Sequence, residues 1–236
     1  MRYLDALLDL LFPRRCVLCR RVMMDTDEGM VCAECMDEIP FTTQKEFLSN
    51  EVSKLLWRRA PIERAACIFK YIPNTRSVRL ILGAKYERRE DIAEWLGRLM
   101  FKRLADTNFF EGIDTVVPMP STSANMRERG FNRIETMSMA MVEEMRKAGY
   151  DVRMEAEAVV RPRNDVSQTA LSRQERMEHV KPEDFEVVHP ERLRGNLLLI
   201  DDVITTGTTL TALANAINVA AEPKSINVLG ASRTAR

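Results

Sequence analysis

Residues 197–210 read LLLIDDVITTGTTL, and this stretch limits the fold of the chain more than any other. Four aliphatic residues in a row read as a strand buried on both faces, the kind found in parallel sheets. Two aspartates follow, then a Thr-Gly-rich turn. The segment TLTALANAINVAA comes next, a helix with Leu210, Leu213, Ala214, Ile217 and Ala221 on one face. A buried strand that turns directly into an amphipathic helix is a building unit of α/β domains. Acids at the end of such a strand are costly unless a ligand or cation uses them.

The rest of the chain repeats the alternation. ERAACIFKYIP (63–73) is a strand stopped by Pro73, and IDTVVPMP (113–120) is a second. Between them a helical rhythm runs from Thr75 to Leu104, with a break expected near Gly83. FNRIETMSMAMVEEMRKAG is a helix with a stop signal at Gly149. Strands are expected around VRMEAEAVVR, near FEVV, and in the closing SINVLGASRT. The expectation is an α/β domain with a mostly parallel sheet over residues 61–236. A separate N-terminal unit covers residues 1–60.

In open α/β sheets, ligands sit beyond the carboxyl ends of the strands. Asp201 and Asp202 are expected there. The backbone N–H groups of Thr205, Thr206, Gly207, Thr208 and Thr209 can form an anion-binding nest at the helix start. Gly207 lets a phosphate approach the backbone. Two carboxylates can accept hydrogen bonds from a vicinal diol, directly or alongside Mg²⁺. A phosphate beside a diol is a ribose 5-phosphate. The turn is neither a Walker A loop nor a G-x-G-x-x-G fingerprint. A plain Asp-capped helix start and a general acidic metal site are the alternatives.

Four of the five cysteines form two C-x-x-C pairs, Cys16/Cys19 and Cys32/Cys35, with 12 residues between the pairs. Two knuckles at this spacing can close four thiolates around tetrahedral Zn²⁺ and leave no open position for a catalytic water. Two redox disulfides or an iron–sulfur cluster would also use the pattern. So short a segment depends on its metal to fold. Cys67 stands in the apolar run AACIFKYI and reads as a buried strand thiol.

The 35 basic and 35 acidic residues cancel, so no global polycation advertises nucleic acid. No segment approaches the roughly 18 uninterrupted apolar residues of a membrane span. The N-terminal MRYLDALLDLLF places Leu4, Leu7, Leu8 and Leu11 on one helical face, but Asp5 and Asp9 interrupt it. A secretory signal is not expected, and the compartment expected is the cytoplasm.

IDDVITTGTTL resembles the phosphoribosyl pyrophosphate (PRPP) motif of type I phosphoribosyltransferases. With the C-x-x-C pairs ahead of it, and with LGAKY around Lys85, VVPMP (116–120), RERGFNRIE (127–135) and QTALS…ER (168–176), the chain resembles the ComF family. The resemblance implies a type I phosphoribosyltransferase-like fold behind a zinc ribbon. It implies that Asp201 and Asp202 hold the ribose hydroxyls and that the 205–209 loop holds the 5-phosphate. It also implies a ligand of PRPP or a nucleotide carrying ribose 5-phosphate, brought with Mg²⁺.

The expected reaction is phosphoribosyl transfer to an acceptor that the motif does not name. Such a transfer passes through an oxocarbenium-like state and needs no protein nucleophile. It needs cations on the departing pyrophosphate. Lys85, Arg127 and Arg129 are the candidates, beside a loop at Ser121–Ser123. Arg161, Arg163, Gln168 and Arg176 are candidate contacts of a covering loop over 161–180. Ion pairing with nearby acids is the alternative role for each of the arginines and for Lys85.

The family's role in uptake of transforming DNA adds single-stranded DNA or a helicase as a possible partner. Arg14, Arg15, Arg20 and Arg21 around the first knuckle are the candidate phosphate contacts. A PRPP or nucleotide sensor without transferase activity is the remaining reading. Three positions depart from the family pattern. Asp165 replaces a threonine, His179 an asparagine, and Arg133 the glutamine expected after RGFN.

Overall fold

The computed structural model describes residues 13–24, 27, 29–43, 47–86, 89–122, 131–162 and 180–234. Their centre is a five-stranded, all-parallel sheet in the order β1-β7-β6-β2-β3. The strands are β1 (Ala65–Tyr71), β2 (Thr115–Pro118), β3 (Arg153–Met154), β6 (Asn196–Ile204) and β7 (Ser225–Thr234). A separate antiparallel pair joins β4 (Val159–Val160) to β5 (Glu186–Val187).

Leu197–Ile200 and Ile226–Ala231 are buried at every position, which requires cover on both faces of the sheet. Helices α4 (Glu90–Leu104) and α5 (Arg133–Lys147) pack on each other and on the sheet. Their approach is close at Gly97, where a Cβ would sit 2.0 Å from the Met137 carbonyl oxygen. Helix α6 (Thr208–Ala221) packs against β6, β5 and two short 3-10 turns. Leu210, Leu213, Ala214, Ile217 and Ala221, the expected apolar face, are all buried.

Most expected elements are present, with three adjustments. The helical stretch before β2 is two helices, α3 (Val78–Tyr86) and α4. The break follows Tyr86 rather than Gly83, which lies buried inside α3. VRMEAEAVVR holds two two-residue strands, β3 and β4, rather than one. Strand β6 continues past both aspartates to Ile204, because Val203 and Ile204 stay in register with Ser232 and Arg233 of β7.

The cysteine module carries α1 (Ala33–Asp37), and the connector carries α2 (Glu51–Leu56). The connector packs on the α/β body. Phe47 meets Phe109 edge-on at 4.9 Å, and Val52 and Leu56 are fully buried. Asn50 caps α2 by accepting from the N–H groups of Val52 and Ser53, and its amide donates to the Ala65 carbonyl at the start of β1. Among the described residues no helix is long and apolar enough to cross a membrane. The leucine-rich segment 1–12 lies outside the described residues.

Candidate functional site

The cysteine module closes as its spacing predicts. The Sγ atoms of Cys16, Cys19, Cys32 and Cys35 all lie within 4.8 Å of one another. Cys19 and Cys32 Sγ are 3.8 Å apart. That matches the roughly 3.8 Å edge of a tetrahedron with Zn–S distances of about 2.3 Å. The first knuckle is tight: Arg20 N–H donates to the Cys16 carbonyl, and Arg20 takes a φ of 65°. Arg21 donates to Cys32 Sγ at 3.4 Å and pairs with Glu34 at 2.9 Å. Arg76, just ahead of α3, reaches Cys35 Sγ at 3.9 Å and Glu38 at 3.3 Å. A hydrogen bond from the Cys35 backbone, then Arg21, pulls the Cys32 thiol down to about 7. Four thiolates with cationic neighbours and no open position fit a structural Zn²⁺. Cys67 is buried in β1, and burial pushes its thiol up to about 12, which removes it as a nucleophile.

The second constellation stands at the carboxyl edge of the sheet. Beyond Ile204 the chain turns through Thr205, Thr206 and Gly207 and enters α6 at Thr208. Gly207 has φ 72°, and a Cβ there would sit 2.5 Å from Leu56 Cδ2 of the connector helix. Both its conformation and its crowding therefore demand glycine. Thr206 and Thr208 share a hydroxyl hydrogen bond at 2.9 Å, and Thr211 N–H donates to the Gly207 carbonyl. Thr205 is exposed, while Thr206, Thr208 and Thr209 are half-buried.

Behind the turn lie the acids. Asp202 is 7% exposed, and its Oδ2 receives Arg133 Nε at 2.7 Å and Nη2 at 2.6 Å. Its Oδ1 accepts the Val203 N–H at 2.9 Å. Asp201 Oδ1 accepts the Asp202 N–H at 2.9 Å. The two carboxylates also interact directly, and their environments push them apart. Burial, then the neighbouring charge of Asp202, drives Asp201 well above the ordinary carboxylate value. Burial opposes ionisation of Asp202 too, but the charges of Arg133 and Lys85 hold it below its ordinary value. The two carboxylates therefore titrate as one coupled pair, with ionisation favoured on the Asp202 side beside Arg133.

The structure brings several sequence candidates to these acids. Lys85, in the last turn of α3, is half-buried and its charge acts on Asp202. Arg161 stacks over Phe185 at 5.2 Å and is held below its ordinary value by burial, against the charges of Asp184 and Asp201. Ser121 and Thr122 follow β2 as half-buried loop residues. Asn132 caps α5 by accepting the Ile134 N–H at 3.1 Å, and Phe131 is half-buried. Arg127 and Arg129, with Ser123, lie outside the described residues, as do Arg163, Gln168, Arg176 and His179.

Three site residues escaped the sequence reading. Arg133 was noted only as a departure from a family pattern, yet it is the ion-pair partner of Asp202. Arg59, just after α2, donates from Nη1 to the Thr206 carbonyl at 2.6 Å and from Nη2 to Thr208 Oγ1 at 3.2 Å. Arg233 neighbours Ile204 in the sheet and reaches Glu51 at 2.6 Å. No local pattern marks Arg59 or Arg233, since both reach the turn only through the tertiary fold.

Comparison with known proteins agrees with the cysteine module. A family model described as a double zinc ribbon domain matches residues 7–47. Competence protein F of Haemophilus influenzae is 23% identical over 217 residues, covering 87% of this chain and 91% of that protein. The chain is thus similar to a competence protein over nearly its whole length and carries a zinc-ribbon segment at 7–47. Among solved structures, hypoxanthine-guanine phosphoribosyltransferase from Schistosoma mansoni, in complex with IMP, matches with a TM-score of 0.34 and 15% identity. That match covers 62% of this chain and 65% of the enzyme, so it spans just under two thirds of the enzyme's length.

Proposed function

We propose that this ComF-like chain binds PRPP, or a nucleotide carrying ribose 5-phosphate, at the 201–209 turn and transfers the phosphoribosyl group to an acceptor. The observation that carries the reading is the turn itself. An acid pair leads through a left-handed Gly207 into the N-terminus of α6, at the carboxyl edge of a parallel sheet. The amides of Thr205–Thr209 receive the 5-phosphate and the acidic end of the strand receives the sugar hydroxyls. In the transfer, the C1–pyrophosphate bond breaks, a C1–acceptor bond forms, and the acceptor loses its proton. Lys85, with Arg127 and Arg129, stabilises the charge on the leaving pyrophosphate. Mg²⁺ would supply additional positive charge to the pyrophosphate when bound.

Calorimetry with ribose 5-phosphate and with PRPP plus Mg²⁺ tests the binding. Saturable heat with both ligands is expected, followed by pyrophosphate release in an acceptor screen. Absence of binding to either ligand overturns the reading. Binding without turnover across the screen makes the protein a sensor instead.

A second reading has its own observation. Arg14, Arg15 and Arg20 are exposed on the first knuckle. The similarity to competence protein F supports a cytoplasmic role in DNA uptake, with single-stranded DNA or a helicase as partner. Arg21 is already paired with Glu34, so any contact with DNA falls to the other three. Charge reversal at Arg14, Arg15 and Arg20 should then abolish a salt-dependent affinity for single-stranded DNA.

A further inference from the structure

The Arg133–Asp202 pair changes what the acid pair can do. A carboxylate offers about four lone-pair positions. In Asp202, two on Oδ2 face the Arg133 Nε and Nη2 donors and one on Oδ1 faces the Val203 N–H. The direct contact with Asp201 uses the remainder. Both side chains of the ion pair are about nine-tenths buried, at 11% and 10% exposure. Opening a buried pair of this kind leaves desolvated charges behind, a larger cost than one hydrogen bond to a sugar hydroxyl returns. The ion pair therefore outlasts ligand binding.

Asp201 is different. Its Oδ1 accepts one backbone N–H, its other carboxylate contact is the one shared with Asp202, it is half-buried rather than buried, and Arg161 as well as Arg133 interacts with its charge. It retains capacity on the side where Asp202 has none.

We propose that Arg133 takes Asp202 out of ligand contact, so that Asp201 alone meets the ribose hydroxyls, with Arg133 as the positioning residue. This rests on the ribose 5-phosphate reading above, and it replaces the expected two-acid clamp with a division of labour. Asp202 anchors: its charge holds Arg133, and through the shared contact it orients Asp201. Asp201 recognises. Helix α5 thereby gains a fixed position under the site, since Arg133 is its first residue.

The test compares ribose 5-phosphate with 2-deoxyribose 5-phosphate by calorimetry. The preference between the two probes reads hydroxyl recognition separately from phosphate binding. Wild type should prefer the ribose probe by about tenfold, the value of one well-formed hydrogen bond. Asp201→Asn should reduce that preference to within about twofold while inorganic phosphate still competes. The double variant Asp202→Asn/Arg133→Gln removes both partners of the pair together and should keep the preference within about threefold of wild type. Arg133→Lys, which keeps the charge, should keep it as well. Folding of each variant is checked by circular dichroism and melting.

A folded double variant that loses the preference overturns the proposal, because Asp202 then touches the sugar. Retention of the preference in Asp201→Asn overturns it equally, whether or not the double variant folds. Wild type that binds inorganic phosphate but neither sugar phosphate sinks the ribose reading and this proposal with it. Wild type that binds both probes equally removes hydroxyl recognition by either acid, and so overturns the proposal while leaving the phosphate nest standing.

Discussion

The cysteine module and the acid turn solve the same problem, concentrated charge, in opposite ways. In the module, the four Sγ atoms come from a 20-residue span and converge within 4.8 Å. Local knuckle geometry does the work, and a bound metal would supply the cation. At the acid turn, the cation is built into the protein. Arg133 arrives from 69 residues away and neutralises Asp202 in place. A site that takes its cation from solution depends on it for folding. A site that carries its own cation is preassembled and depends on the pair staying intact.

The sharpest way to break this comparison is to remove the metal. Strong chelation should collapse residues 13–43, because zinc contributes on the order of 10 kcal/mol to folding in modules of this size. Trp95 is a built-in reporter. The Gly29 backbone lies so close to its indole that a Cβ at Gly29 would sit 2.5 Å from Nε1. Trp95 fluorescence should shift on chelation, and stoichiometric zinc should be found by elemental analysis. Unchanged emission in metal-free protein would show that the module folds without its cation.

The acid turn answers next. Asp202→Asn leaves the Arg133 guanidinium buried without its counter-charge. The expected loss is about 3 kcal/mol. In a chain of this size that is a fall of roughly 6–12 °C in melting temperature. Pairing the change with Arg133→Gln should recover most of it. If the single and double variants melt alike, the pair is not the source of rigidity.

The two regions also differ in how much of them can be read from sequence. The zinc cage is legible outright, because ligand identity and spacing determine it. The sheet is nearly so. LLLI, AACIF and SINVLGA are strands because their apolar runs leave no polar face for solvent. The misplaced break in the helical stretch had a physical cause. Gly83 is tolerated inside α3, and the chain leaves the helix only after Tyr86. The Thr-Gly turn is legible because it is one continuous stretch with a glycine that needs its positive φ. Its surroundings are not. Arg59 and Arg233 come from the connector and the last strand, and only the tertiary fold brings them to the turn. Arg133 stood out as an exception to a pattern, but its partner could not be known before α5 was placed against β6.

Gly207→Ala sharpens the comparison at its smallest structural unit. Alanine at φ 72° is strained, and its Cβ would meet Leu56 Cδ2 at 2.5 Å. A cost of about 1–2 kcal/mol is expected, part of it relieved by rotation of Leu56. The same change should weaken inorganic phosphate binding, since it closes the approach to the nest amides. Destabilisation with unchanged phosphate affinity would mean that the turn serves the connector helix and not an anion.

Asp201→Asn should produce the smallest effect on stability, with an informative sign. Asp201 faces Asp202 in its own strand, with Arg133 from α5, Lys85 from α3 and Arg161 beyond β4 as the surrounding charges. Burial holds its native value above the unfolded one. Below the ordinary carboxylate range both states are protonated, and asparagine mimics the neutral acid closely. As pH rises through about 4, the unfolded chain ionises while the native acid keeps its proton, so wild type loses stability relative to the variant. The gap widens until pH passes the native value and is then constant. Melting curves of the two proteins across this range should therefore diverge upward, with the variant more stable at neutral pH despite its loss of sugar recognition. A variant less stable than wild type at neutral pH would show that Asp201 is ionised in the folded protein, and that Arg133 does not balance the pair alone.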